Sequence, residues 1–154
     1  MLSRLARHRG RLIMRSLIRI LAALPYALIL ALFIKLISAW NRLPESVAVH
    51  FDLSSKPNSW VSKSSFGIIV VGAGLFIAAL NWWVLSGRAG SASLNLIISQ
   101  ALVALTVILA FWETIHFNVE GAPFRPWFVF VPVLLLIGFL IAQSLMPGGW
   151  RTRV

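Results

Sequence analysis

Four apolar runs dominate the chain, at 20–39, 66–85, 94–112 and 127–145, and Lys35 is the one charge inside any of them. Each holds 19 or 20 residues, matching the ~20 residues that carry a helix across a ~30 Å hydrocarbon core. The pattern predicts an all-α integral membrane protein with four transmembrane helices. Its organisation reads as an arm at 1–19, a membrane domain at 20–145 with an outer loop at 41–64, and a tail at 146–154. Pro25 and Pro132 fall inside spans, where proline is tolerated but removes a backbone donor. Gly74 with Ala78 and Gly138 with Ala142 give small-xxx-small faces that permit close helix approach. Trp82, Trp83, Trp112, Trp127 and Trp150 sit near span ends and read as interfacial anchors.

The polar segments carry two further patterns. In the arm, Arg4, Arg7, Arg11, Arg15 and Arg19 recur every three or four residues, opposite Leu2, Leu5, Leu12 and Ile13. That spacing predicts a basic amphipathic helix on the inner leaflet that runs into the first span. In the outer loop, Pro44 stops the first helix. Val47, Val49 and Phe51 then alternate with Ala48, His50 and Asp52, a period of two that predicts a short extended segment with His50 and Asp52 on one side. Ser54 to Asn58 reads as a turn, and Trp60 returns the chain to the interface.

Composition strengthens the membrane reading. The apolar set makes up 59% and charged residues 12% of the chain, against about 25% charged in an ordinary soluble domain. Mean hydropathy is +0.88. Cysteine is absent, which excludes disulfides, thiolate metal sites and a cysteine nucleophile. The first span is longer than the ~7–15 residues of a signal-peptide core and lacks a clear cleavage pattern, so an uncleaved anchor is expected.

Net charge is +10, and its distribution sets the expected topology. Arg4, Arg7, Arg9, Arg11, Arg15, Arg19, Arg88, Arg151 and Arg153 lie on one side of the spans. Lys35, Arg42, Lys56, Lys63 and Arg125 lie on or near the other. By the positive-inside rule both termini are cytoplasmic. Lys35 is expected to snorkel outward. The expected partners are a bilayer with an anionic inner leaflet and proteins within the membrane. The arm either sets topology or docks an acidic cytoplasmic protein. It has no nucleic-acid recognition fold, so nucleic acid is not an expected partner.

Leu43, Pro44, His50, Phe51, Asp52, Pro57, Asn58, Trp60, Ser62 and Lys63, placed between a first and a second span, resemble a known signature. It is that of the domain of unknown function at the front of the SdpI family of bacterial membrane immunity proteins. The family's turn glycine is Ser55 here. If that turn needs a positive φ, serine costs on the order of 1 kcal/mol. The resemblance implies a bacterial cytoplasmic-membrane protein that recognises a peptide, ligand or partner at its outer loop through His50, Phe51, Asp52, Pro57, Asn58, Trp60 and Lys63, in an immunity or signalling role.

Chemistry at the outer face has several readings. Glu113 and His116 share a helical face, and His50 and Asp52 sit on the loop. The four form an acceptable ligand set for Zn²⁺ or another divalent ion taking N and O donors. The same groups also suit a hydrogen-bonded cluster with Arg42, Lys63 or Arg125. No phosphate-binding loop, His-Glu-x-x-His or nucleophile elbow occurs. The polar residues within spans (Asn81, Asn95, Ser99, Gln100, Thr106 and Gln143) are uncharged. The expectation is a non-enzymatic protein without a resident cofactor. The alternatives are an accessory subunit of a larger membrane complex and an outer-face metal-binding protein.

Overall fold

The computed structural model describes residues 2–52, 54–86 and 94–145, apart from the side chains of 2–15 and Leu17. Arg88, Trp150, Arg151, Arg153 and the 146–154 tail therefore lie outside the described residues, as do the side chains of Arg4, Arg7, Arg11 and Arg15. The order of elements is α1 (Leu2–Ala39), a 3₁₀ turn (Trp40–Arg42), β1 (Ser46–Phe51), β2 (Pro57–Ser62), α2 (Lys63–Leu85), α3 (Leu94–Glu120) and α4 (Trp127–Leu145). All four helices are long and apolar enough to cross a membrane.

α1 has 38 residues, which at ~1.5 Å per residue is about 57 Å. It therefore runs from the basic arm through the first span without a break at residue 19, and it passes through Pro25. The chain leaves it by the 3₁₀ turn. Leu43 donates its N–H back to the Ala39 carbonyl at 3.1 Å and then takes the extended conformation that Pro44 imposes on its predecessor. α2 starts at a cap: the Ser62 hydroxyl accepts from the Ser65 N–H at 3.1 Å. α3 continues past the expected end at 112 and closes at Gly121. That residue sits at φ +64° and donates to the Phe117 carbonyl, a left-handed cap that glycine adopts without strain.

Three of the helices, α1, α2 and α3, pack against one another around one core, with Phe66 of α2 meeting the Phe111 ring of α3. α1 makes its longest contact with α3, and α4 packs on α3 outside this cluster. The buried stripe of α1 is Pro25, Ile29, Leu32, Leu36 and Ala39, alternating steps of four and three. It meets Phe66, Val70 and Ile77 of α2 and Ala104, Ile108 and Ile115 of α3. Such spacing is that of helices crossing at a shallow angle. Close approach of α1 and α2 depends on glycine. A Cβ on Gly74 would stand 2.7 Å from the Phe33 ring, and one on Gly67 would stand 2.8 Å from Trp40. Gly138, by contrast, faces open space, and with Ala142 it is exposed, so that pair joins no helices within the chain. Pro132 is the one buried residue of α4.

Polar groups within the spans differ in how they are satisfied, and Gln143 Nε2 is buried without a hydrogen-bond partner. Thr106 donates to the Leu102 carbonyl of its own helix. Buried Asn81 donates across to the Ala22 carbonyl on α1 at 3.0 Å, in the turn that Pro25 loosens. Gln100 is buried with neither amide atom hydrogen-bonded.

Candidate functional site

The loop at 41–64 is a β-hairpin, so the predicted extended segment is present and has a partner strand at 57–62. Ser46 pairs with Ser62 and Val47 with Val61. The Lys63 N–H then donates to the Glu45 carbonyl at 2.9 Å, closing the base. Val47 is fully buried and joins the helical core together with Leu43. Irregular steps lie between Ala48 and His50 and between His50 and Phe51. These bulges interrupt strict alternation, and His50 and Asp52 find different partners.

Asp52 organises the turn. Its Oδ1 accepts the N–H of Ser54 at 2.8 Å and of Lys56 at 2.9 Å, while its own N–H donates to the Lys56 carbonyl. Ser55 takes φ +62°, so serine does occupy a left-handed position here. His50 Nδ1 pairs with Asn58 Oδ1 across the hairpin. Phe51 stacks on Phe124 with centroids 4.1 Å apart and meets the edge of Phe117 at 4.8 Å. The Lys63 ammonium lies 5.3 Å from the centre of the Trp40 ring and 3.9 Å from Glu45. Most of the signature residues thus build and seat the hairpin, whereas Trp60 stands 53% exposed.

The end of α3 supplies the hairpin's support. Asn118 Oδ1 accepts the Ala48 N–H at 2.8 Å and its Nδ2 donates to the Ala48 carbonyl at 2.9 Å. One side-chain amide therefore satisfies both backbone polar groups of Ala48 on the free edge of β1, as a further strand would. Nothing in the one-dimensional pattern singled out Asn118. Its signal is an asparagine on the same face as Thr114, which also bonds to it through the Thr114 carbonyl.

Of the contacts considered between His50, Asp52, Glu113 or His116 and Arg42, Lys63 or Arg125, the structure shows one, Glu113 with Arg125, and a separate group joins His116, Glu120 and Lys35. Glu113 is 2% exposed and receives a two-pronged contact from Arg125, Nε to Oε2 at 3.1 Å and Nη2 to Oε1 at 2.9 Å. The Arg125 guanidinium also rests over Phe128. His116 Nδ1 lies 3.1 Å from Glu120, and Lys35 approaches the same carboxylate at 3.6 Å while its ammonium sits above Trp112. All four acids of the chain thus gather at the hairpin end. His50, Asp52, Glu113 and His116 do not converge, however, and no group of three His, Asp or Glu side chains suited to a metal ion occurs among the described residues. The reason is physical: each of the four already has a nearer partner.

Between β1, α3 and the start of α4 lies a recess of about 220 Å³, lined by Val49, Phe51, Ala110, Phe124 and Phe130, with Asp52 on its wall. Its walls are mainly apolar, with carboxylate and hydroxyl groups at Asp52 and Thr114.

A family model described as a domain of unknown function (DUF1648) matches residues 27–75. That segment runs from within α1 through the hairpin to the middle of α2. No curated protein and no solved structure matches the chain.

Proposed function

We propose that this chain is a non-enzymatic, multi-pass membrane protein that recognises a peptide or a partner protein at its hairpin end. The observation that carries the reading is the recess beside β1. At about 220 Å³ it is smaller than the ~300–1,000 Å³ typical of small-molecule sites. It suits a single apolar side chain of a docking segment. The resemblance of the hairpin signature to the SdpI front domain favours an immunity or signalling role. The internal use of His50, Asp52 and Asn58 favours recognition over catalysis, because no side chain there is left poised as a nucleophile or base.

The bacterial cytoplasmic membrane, with both termini inside, is the location this reading takes. It rests on the family resemblance and on the one-sided arginines of the arm. A second reading, an accessory subunit of a larger complex, is favoured by α4, whose Leu134, Leu135 and Ile141 are more than half exposed. Purification in a gentle detergent, followed by mass spectrometry of what accompanies the protein, tests both. A peptide or protein that accompanies the wild type and is lost from Ala110→Phe, which fills the recess, supports recognition there. A partner retained by Ala110→Phe but lost on Leu135→Arg supports the subunit reading. A bare monomer in every case refutes both.

A further inference from the structure

A second concavity lies on the side of the molecule, between α1 and α2, with a volume of about 580 Å³. Its lining runs along α2 from Ser64 to Leu75, with Leu36 and Trp40 as the opposite wall. Eleven helical steps of ~1.5 Å make this about 16 Å long, close to the ~15 Å half-thickness of a hydrocarbon core of ~30 Å. The groove therefore begins at the hairpin end of the span and runs to about mid-membrane. It opens sideways, where the neighbouring Ile68 and Phe76 are 73% and 69% exposed.

Two features separate it from an ordinary dent between helices. Gly67 is explained within the chain, since a Cβ there would strike Trp40, but a Cβ on Gly72 would meet nothing within 4 Å. A mid-helix glycine costs roughly 1 kcal/mol against alanine in water, and no packing among the described residues calls for this one. It leaves a smooth floor for something outside the chain. At the upper end the chemistry changes. The Lys63 ammonium lies at the first turn of α2 beside Trp40 and next to the groove's lining; its side chain is 15% exposed, and its carboxylate neighbour Glu45, 3.9 Å away on a side chain 94% exposed, is free to swing aside for another anion. Ser64 adds a hydroxyl, and the helix start adds its positive dipole end.

We propose that this groove binds one phospholipid of the hairpin-side leaflet. One acyl chain lies along Gly67 and Gly72 as far as Leu75, and an anionic phosphate sits at Lys63 and Ser64. A second copy of the chain fits less well. A twofold axis normal to the membrane would bring two Lys63–Glu45 pairs to one height on one shared face, and neither would offer the other an anion beyond the one it has.

Native mass spectrometry of the detergent-purified protein, titrated separately with phosphatidylglycerol and with phosphatidylcholine, tests this. The wild type is expected to retain one phosphatidylglycerol per chain in preference to phosphatidylcholine. Gly72→Phe projects into open space and should keep the wild-type helical circular dichroism while binding about tenfold more weakly. Lys63→Gln should keep a lipid but lose the preference for phosphatidylglycerol, a readout that does not depend on filling the groove. Equal lipid retention by Gly72→Phe and wild type overturns the proposal. So does unchanged headgroup preference in Lys63→Gln, or a wild-type dimer that Gly72→Phe converts to a monomer.

Discussion

Ser55 holds φ +62° at the tip of the hairpin, a conformation that costs a residue with a Cβ about 1–2 kcal/mol. It persists because the turn around it is over-determined. Asp52 accepts two backbone N–H groups, and the Ser55 N–H donates to the Asp52 carbonyl at 2.9 Å. Ser55→Gly removes the strain but adds backbone entropy of about 0.5–1 kcal/mol to the unlatched state. The net gain expected is about 0.5 kcal/mol, seen as roughly twofold slower hydrogen exchange at the Lys56 amide. Faster exchange in the glycine variant would mean that the serine side chain contributes something the turn geometry does not reveal. This position was legible in the sequence because turn chemistry is local: a glycine in the resembling signature marks where φ must be positive. The roles of His50 and Asp52 were not legible, since a residue pattern names groups that hydrogen-bond without saying to what. Both turned inward to the hairpin itself, so they do not meet Glu113 and His116 as the alternative metal reading required.

At the scale of elements, hydropathy located four spans but misjudged where α3 ends. A window of apolar residues registers the lipid-facing length of a helix, and α3 goes on for eight residues beyond 112 because its last turns face protein. Those turns carry Glu113, which holds Arg125 ahead of α4, and Asn118, which holds β1. A two-stranded hairpin alone is marginal in water, so the Asn118 clamp and the burial of Val47 are what fix it to the helices. Asn118→Ala removes two hydrogen bonds to Ala48, a residue 2% exposed, at about 1 kcal/mol each. Exchange at the Ala48 amide should accelerate by roughly thirtyfold while amides in the middle of α2 are unaffected. Asn118→Asp keeps the acceptor for that N–H but sets a carboxylate against the Ala48 carbonyl, so it should rescue little. If the alanine variant leaves Ala48 protected, the apolar contacts of Val47 and Phe51 hold the strand by themselves. The glycines teach the same lesson about context. Gly74–Ala78 and Gly138–Ala142 are identical as patterns, yet only the first pair has another helix of this chain against it.

The whole molecule is asymmetric along its length, and topology is where that asymmetry has a consequence. Its acids all gather at the hairpin end, paired with Lys35, Lys63 and Arg125 or with backbone N–H groups. The arm at the other end of α1 carries arginines and no acid at all. Pairing lowers the cost of moving the hairpin end across a bilayer, because a near-neutral ion pair is easier to desolvate than its separate charges. The arm has no such compensation, and anionic lipid on the cytoplasmic leaflet attracts each arginine by roughly 1 kcal/mol. Both effects favour the arm inside and the hairpin outside, which is the orientation expected. The chain has no cysteine, so single reporters can be introduced without background. Ser59, exposed on β2, is the position for one, and Ser3 in the arm is the position for the other. In intact cells a membrane-impermeant maleimide should label Ser59→Cys and leave Ser3→Cys unmodified until the membrane is opened. Replacing Arg4, Arg7, Arg11, Arg15 and Arg19 with glutamine should let part of the population insert with Ser3→Cys outside. If that replacement leaves the labelling pattern intact, the paired charges at the hairpin end set the orientation and the arm's arginines are free for a cytoplasmic partner.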